Sequence, residues 1–424
     1  LLNNLLPPGG ASVPLLTSSG TVQQIPGAFN PANPQFVAPY SIFFPDRNFR
    51  TPYVEAMNLG FQWHIAHAGT LETNYVGKLA RKLTIPLDLN PAIYDCSGGY
   101  FQSNPSVYCT NASSNAISTK QRLRYSTFNY GGQGIVDILS VGTSNYNALQ
   151  EQYTQRGGRY LTVFQTYTYS RSLDIQSNGQ TTSNTVPDVF NLNSDYGLSD
   201  NNAKHNLTLG WVVRFPKVTT GSALLRTALN NWVYSGRYQA HTGRPFSVTI
   251  NNDSALDGES NQRAAIVAGA NPLLPSNRHR ADKVNEYFNI AAFTYPQIGT
   301  FSNVARNAFV GPGYIMTDMA LAREFPLASL REGMRLNIRV EAYNVFNTPN
   351  LANPYAQFSC SSTSISTTTS PGTTCETPSN GFTYGGLIPG TAETQFGRVL
   401  STYGNNANTS TNGRKMQFSL TVYY

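Results

Sequence analysis

An all-β, antiparallel, membrane-spanning barrel wall is the architecture this sequence predicts, on three observations. Several segments alternate strictly between apolar and polar residues, the period of a strand with two unlike faces. The connections between those segments alternate short and long. Charged residues make up only 12% of the 424 residues, and aromatic residues make up another 12%. A soluble protein carries about 25% charged residues.

Composition removes the rival classes. With 25 Tyr and 22 Phe, the chain is too aromatic for a wholly disordered polymer. No apolar run approaches the roughly 20 residues of a membrane helix. The Ala, Glu, Leu and Lys of coiled coils and helix bundles are sparse. The net charge is +7, but Lys and Arg are scattered, with nothing longer than Arg81-Lys82 or Arg414-Lys415. Such scatter argues against a nucleic-acid partner. The chain opens on Leu1 with no visible signal peptide, which reads as a fragment or a processed product.

Strands are expected at 54–66, 70–81, 144–155, 159–172, 203–215, 231–249, 313–325, 333–346 and 414–424. The first sets Met57, Leu59, Phe61, Trp63 and Ile65 against Ala56, Asn58, Gly60, Gln62 and His64. At 203–215, Leu207, Leu209, Trp211, Val213 and Phe215 oppose Asn206, Thr208, Gly210 and Arg214. At 333–346, Met334, Leu336, Ile338, Val340 and Ala342 oppose Arg335, Asn337, Arg339 and Glu341. The last strand sets Met416, Phe418, Leu420, Val422 and Tyr424 against Gln417, Ser419 and Thr421. The 144–155 segment fits worst, because Glu151 falls on its apolar face. Many of these runs exceed the five or six residues usual for a soluble strand.

The connections are the stronger signal. His67-Ala68-Gly69 and Arg156-Gly157-Gly158 are tight turns. The link 216–230 is of medium length and 326–332 is short. The loops 82–143, 173–202, 250–312 and 347–413 are long. Compact soluble domains rarely hold several long loops, whereas outer-membrane barrels pair short periplasmic turns with long extracellular loops. With Tyr424 in the periplasm, each long loop falls outside and each short turn inside, and residues 1–53 become an external loop. Trp63, Trp232, Phe215 and Tyr424 then gather at the periplasmic rim with Tyr160 and Phe325, where an aromatic girdle belongs. The low charge gains a cause. A lipid-facing charge at mid-bilayer costs about 2–4 kcal/mol, so Arg214, Arg237, Arg339 and Glu341 are expected to point into the lumen.

Candidate chemistry is thin. Cys96 and Cys109 share one long loop, and Cys360 and Cys375 share another. Without a C-x-x-C spacing, two local disulfides in an oxidising envelope fit better than a metal site. Each would contribute about 3 kcal/mol in the chain-entropy model. His64, His67, His205, His241 and His279 share no metal-ligand spacing, and no hydrolase or nucleotide-binding motif occurs. Asp253, Asp257, Gly258 and Glu259 lack the order of a calcium loop. The Ser/Thr run 361–370 reads as a loop tip. No enzyme activity and no cofactor are expected.

One ordered set of short motifs carries a resemblance. It begins with Pro52-Tyr53-Val54, Asn58-Leu59-Gly60, Asn74-Tyr75-Val76-Gly77 and Ser144-Asn145-Tyr146-Asn147-Ala148-Leu149-Gln150. Tyr167-Thr168-Tyr169-Ser170, Tyr196-Gly197-Leu198-Ser199-Asp200, Ser235-Gly236 and Thr242-Gly243-Arg244-Pro245-Phe246 follow. Then come Tyr287-Phe288-Asn289, Ala291-Ala292-Phe293, Arg306-Asn307 and Gly311-Pro312-Gly313. Asn344-Val345-Phe346-Asn347, Phe396-Gly397-Arg398 and the terminal strand complete it. In this order they resemble the C-terminal half of a TonB-dependent outer-membrane receptor of the Oar-like kind.

The resemblance implies a barrel of about 22 strands around a plug, of which this chain holds about nine strands and not the plug. It implies that the fragment does not close a barrel alone, since unpaired edges are not tolerated in hydrocarbon. The implied partners are outer-membrane lipid, the TonB complex through the missing N-terminal plug, and an extracellular glycan, peptide or chelate. The barrel-assembly machinery would read Phe418, Leu420, Val422 and Tyr424. A structural or adhesive barrel without transport, and a secreted carbohydrate-binding β protein, are the alternative readings.

Overall fold

The computed structural model describes residues 15–16, 22–23, 42–65, 69–92, 123–124, 135–156, 158–177, 186–250, 253–259, 262–296, 299–327, 331–358, 395–403 and 413–424. Nine long strands dominate them: β1 Tyr53–Ile65, β2 Gly69–Asp88, β3 Ile135–Gln155, β4 Leu161–Asp174, β5 His205–Arg214, β6 Trp232–His241, β7 Tyr314–Pro326, β8 Arg335–Tyr343 and β9 Lys415–Tyr423. They lie side by side in chain order and form one sheet, β9-β8-β7-β6-β5-β4-β3-β2-β1. Every neighbouring pair is antiparallel. Such a meander is what consecutive hairpins build. Among the described residues, the outer edges of β1 and β9 carry no strand partner. No helix among them is long and apolar enough to cross a membrane.

The register carries the two-faced pattern from strand to strand. Directly opposed residues share a face. One rung runs Arg214, Val233, Ala322, Arg339, Ser419 across β5 to β9. The next rung, on the other face, runs Val213, Tyr234, Leu321, Val340, Phe418. Toward the other edge a rung reads Gln62, Glu72, Gln152, Thr166, Thr208, Gln239. Each face therefore keeps its prevailing character across the nine strands, with Arg323 and Glu151 as charged residues on the apolar face and Val233 and Ala322 as apolar ones on the polar face. The apolar face remains bare: Leu59, Phe61 and Phe418 are among its exposed side chains. On β6 the Gly236 position is roofed by the Trp211 ring, which a Cβ there would strike.

Three boundaries depart from the sequence expectation. The loop placed at 82–143 is shorter, because β2 continues to Asp88 and β3 begins at Ile135. Lys82 adopts φ 56°, and the register slips on either side of Leu83. That bulge breaks the two-residue period, so the extension does not read as strand. The strand placed at 231–249 stops at His241, and the chain leaves the sheet through Thr242-Gly243 toward Pro245, which lacks a ladder donor. Within the leading segment 1–53, Ile42–Pro45 forms a strand that pairs in parallel with Ile135–Ile138.

The two ends of the sheet differ. At one end lie the shorter connections, between β1 and β2, β3 and β4, β5 and β6, and β7 and β8. At the other lie the long connections, and there the buried core is found.

Candidate functional site: a folded cap at the long-connection end

The connection between β6 and β7 and that between β8 and β9 fold together. Pro245–Phe246 pairs with Phe309–Val310, and Ala265–Ile266 pairs with Phe293–Thr294. Thr249–Ile250 pairs in parallel with Gln357–Phe358, which ties one connection to the other. The core of this cap is aromatic. Phe246, Phe288, Phe293, Phe309, Phe358 and Phe396 are all buried, with Val248, Ile250 and Ala292 beside them. Phe288 stands edge-on to Phe293 and Phe396 at 5.2 and 5.1 Å between ring centroids. Phe358 meets Phe396 at 5.3 Å. Edge-to-face pairs at such distances add to the area they bury. Gly243 and Gly311 bring two backbones together, since a Cβ on Gly243 would run into the Gly311 carbonyl. A cavity of about 490 Å³ opens beside the core, lined by Ile266, Val267, Leu273 and Phe309 with Asn303 as its polar side chain.

A third connection, between β4 and β5, is bolted to the cap by buried charge. Arg263 pairs with Asp195, both almost fully buried, and its other guanidinium nitrogens donate to the Val304 carbonyl at 2.8 Å and the Ser194 carbonyl at 3.2 Å. Arg306 pairs with Asp174 at the end of β4 and donates to Ser177 Oγ at 3.1 Å. Asn307 donates to the Leu198 carbonyl at 2.7 Å and to Asp200 at 2.6 Å. Buried pairs of this kind hold geometry where every donor is used. Burial raises the Asp195 carboxyl from its ordinary range, and the Arg263 guanidinium opposes that rise.

Where the cap meets the polar face of the sheet, an aromatic cluster forms. His241 and Tyr314, opposed on β6 and β7, stack with centroids 4.9 Å apart and planes 4° from parallel. Tyr403 stands edge-on to His241 at 5.7 Å. The Arg244 guanidinium lies 5.6 Å from the Tyr403 ring centre and donates to Asn201 at 3.1 Å. The His241 Nδ1 donates to the Thr242 carbonyl at 2.8 Å, so Nδ1 carries the proton. Planar rings beside a guanidinium suit ring-shaped, peptidic or anionic ligands.

The acidic stretch 253–259 is occupied with its own turn. Asp253 accepts from the backbone of Asp257 and Gly258 at 3.1 and 2.7 Å, and Gln262 donates to both Asp253 and Asp257. Burial, reinforced by Asp253, pushes the Asp257 carboxyl up to about 8. Among the described residues, no cluster of three or more His, Cys, Asp or Glu side chains could hold a metal ion.

The side chains singled out from sequence fall as follows. Arg214, Arg237, Arg339 and Glu341 share the polar face. Arg237 lies opposite Asp318, and Arg339 pairs with Glu341 at 2.6 Å. Trp63 and Trp232 lie on the apolar face at the short-turn end, with Phe215 and Tyr424 just beyond the ends of β5 and β9. Phe418, Leu420 and Val422 line the apolar face of β9 and are exposed. Cys96, Cys109, Cys360 and Cys375 lie outside the described residues. Residue-by-residue reading missed Arg263, Asp174 and Asp195. The Arg306-Asn307 and Tyr196-to-Asp200 motifs were visible, but not their mutual contact.

No curated protein matches the chain. Among solved structures it is similar to the FrpB iron transporter from Neisseria meningitidis (F3-3 variant), at 12% identity and a TM-score of 0.34 over 78% of this chain. The match spans 31% of that structure's length. A family model described as an outer membrane beta barrel domain matches residues 3–417, so with its two-faced antiparallel wall the chain belongs to the outer-membrane β-barrel domain family.

Proposed function

We propose that the chain is the C-terminal wall and cap of an outer-membrane receptor that captures a ligand outside the cell and passes it inward, in the manner of Oar-like TonB-dependent receptors. One observation carries the reading. In their described residues, the connections after β6 and after β8 are not independent fringes but one folded body, cored by six phenylalanines and bolted to a third connection through Arg263 and Arg306. A preformed surface beside the polar face of the wall suits capture more than open diffusion. In this orientation the polar face looks into the lumen, the apolar face meets lipid, and Tyr424 lies in the periplasm. His241, Tyr314, Tyr403 and Arg244 would contact a glycan, peptide or chelate entering the lumen. Further strands would meet the free edges of β1 and β9, and a plug would couple to the TonB complex. The barrel-assembly machinery would read β9. No catalytic step and no cofactor enter this scheme.

Uptake tests it. Cells producing the full-length protein are offered labelled oligosaccharides, peptides and ferric chelates, with the TonB complex intact or deleted. Accumulation of one class that vanishes with TonB supports the proposal. Surface binding that is indifferent to TonB and never leads to uptake assigns an adhesive role instead.

A further inference from the structure

The connection between β5 and β6 is the one at the short-turn end that does more than turn. Residues 216–230 include the helix α1, Ala223–Leu229, and all seven of its residues are exposed. The excursion is ordered by its own bonds. Ser222 caps the helix by accepting from the Leu225 amide at 3.3 Å. Asn230 clamps the lead-in, accepting from the Val218 amide at 2.7 Å and donating to the Val218 carbonyl at 3.1 Å. Yet Leu224 is 84% exposed, and Leu225 and Leu229 are exposed with it.

At helical spacing Leu224, Leu225, Ala228 and Leu229 form one stripe, and Arg226 and Thr227 lie opposite. The place of α1 relative to the sheet follows from Trp232, which lies on the apolar face and donates its indole N–H to the Ala228 carbonyl at 2.9 Å. The helix therefore adjoins the apolar wall rather than the polar face. Arg323 of β7, on the same face, holds its guanidinium 5.3 Å from the Trp232 ring and 4.2 Å from that of Phe325. The connection itself carries Lys217 and Arg226 and no acidic residue.

We propose that α1 is an interfacial anchor that sinks its leucine stripe into the periplasmic leaflet, with Lys217, Arg226 and Arg323 beside anionic phospholipid phosphates. This rests on the orientation given under Proposed function. Two features single out lipid as the occupant: the stripe continues the apolar wall, and the cations at its rim complement phosphate. A helix of this length is marginal in water, and an apolar boundary would retain it.

The test places tryptophan on opposite sides of α1, as Leu225→Trp and Thr227→Trp, in the full-length protein. Each is reconstituted into phosphatidylethanolamine–phosphatidylglycerol vesicles brominated on the acyl chains, and the signal of the unsubstituted protein is subtracted. Bromine should quench Leu225→Trp at least about twofold more than Thr227→Trp. The double change Lys217→Glu with Arg226→Glu should reduce the quench at position 225 when phosphatidylglycerol is present and not in phosphatidylcholine alone. Equal quenching of both sites by aqueous acrylamide overturns the proposal. Shielding of position 225 from both quenchers also overturns it, because a protein then covers the stripe. If replacing Trp63 and Trp211 by Phe leaves the bromine quench of the parent protein unchanged, the barrel orientation fails first; if that quench falls and position 225 escapes bromine, only the anchor fails.

Discussion

The wall and the cap are built on opposite plans. In the wall, apolar side chains face outward and stay exposed, polar ones share the other face, and neighbouring strands hold each other by backbone ladders. In the cap, apolar side chains turn inward around six phenylalanines, and the charged groups that join it to the next connection are buried in pairs. The difference teaches which solvent each part meets. A ladder with a bare apolar face suits hydrocarbon; an inward core with buried ion pairs is how a body surrounded by water folds.

The largest effect expected follows from removing residues 414–424. That deletion takes away β9, exposing the β8 edge and discarding Phe418, Leu420, Val422 and Tyr424. Insertion into the outer membrane should stop, as checked by heat-modifiable migration of membrane fractions. Normal assembly of the truncated chain would break the wall half of the comparison.

Next is the bolt of the cap. Arg263→Met leaves the Asp195 carboxylate buried without its guanidinium, a loss of about 3–5 kcal/mol. The loss should stay local: hydrogen exchange accelerates at 186–200 and 262–310, while β5 to β8 remain protected. Equal acceleration in the wall would show one cooperative unit rather than two plans.

The faces can be separated by neighbouring substitutions on β5. Leu209→Arg places a cation on the apolar face and should cost about 2–4 kcal/mol of barrel stability. Thr208→Arg, one residue away on the polar face, should leave it nearly unchanged. Denaturant titration in lipid reads both.

One pH dependence lies in the cap. The Asp257 carboxyl titrates near 4 when unfolded and at about 8 when folded. The folded state therefore holds a proton that the unfolded state has released. Its stabilising effect is full below about pH 4 and is lost as pH rises through about 8. Protection factors at 253–259, with the intrinsic pH dependence of amide exchange divided out, should fall between pH 5 and pH 9, and Asp257→Asn should flatten that response.

The unequal legibility of the two regions has a physical origin. The wall repeats one rule every second residue, so Leu207 to Val213 and Leu336 to Ala342 announce their faces in sequence. Its silent stretches are those where the rule is interrupted, at the Lys82 bulge and at the exit after His241. The cap has no period. Phe246, Phe288, Phe293, Phe309, Phe358 and Phe396 come from separated segments and meet only after long connections close. The motifs Tyr287-Phe288-Asn289, Arg306-Asn307 and Phe396-Gly397-Arg398 marked several of these residues without revealing that they share one body. Asp195 and Arg263, 68 residues apart, carry no local signal at all. The α1 stripe was hidden for a different reason, since seven residues are too few to stand out from a turn.

The smallest effect expected is also a test of which face meets water. Arg339 and Glu341 pair at 2.6 Å on the polar face with 42% and 20% of their side chains exposed. In a water-filled lumen such a pair contributes about 0–1 kcal/mol, so Arg339→Ala should shift a denaturation midpoint barely or not at all. If that face instead met hydrocarbon, the same change would strand the Glu341 carboxylate in a medium that cannot solvate it, at a cost of several kcal/mol. Near-neutrality of Arg339→Ala beside a severe Leu209→Arg therefore fixes the inside and the outside of the wall from stability alone.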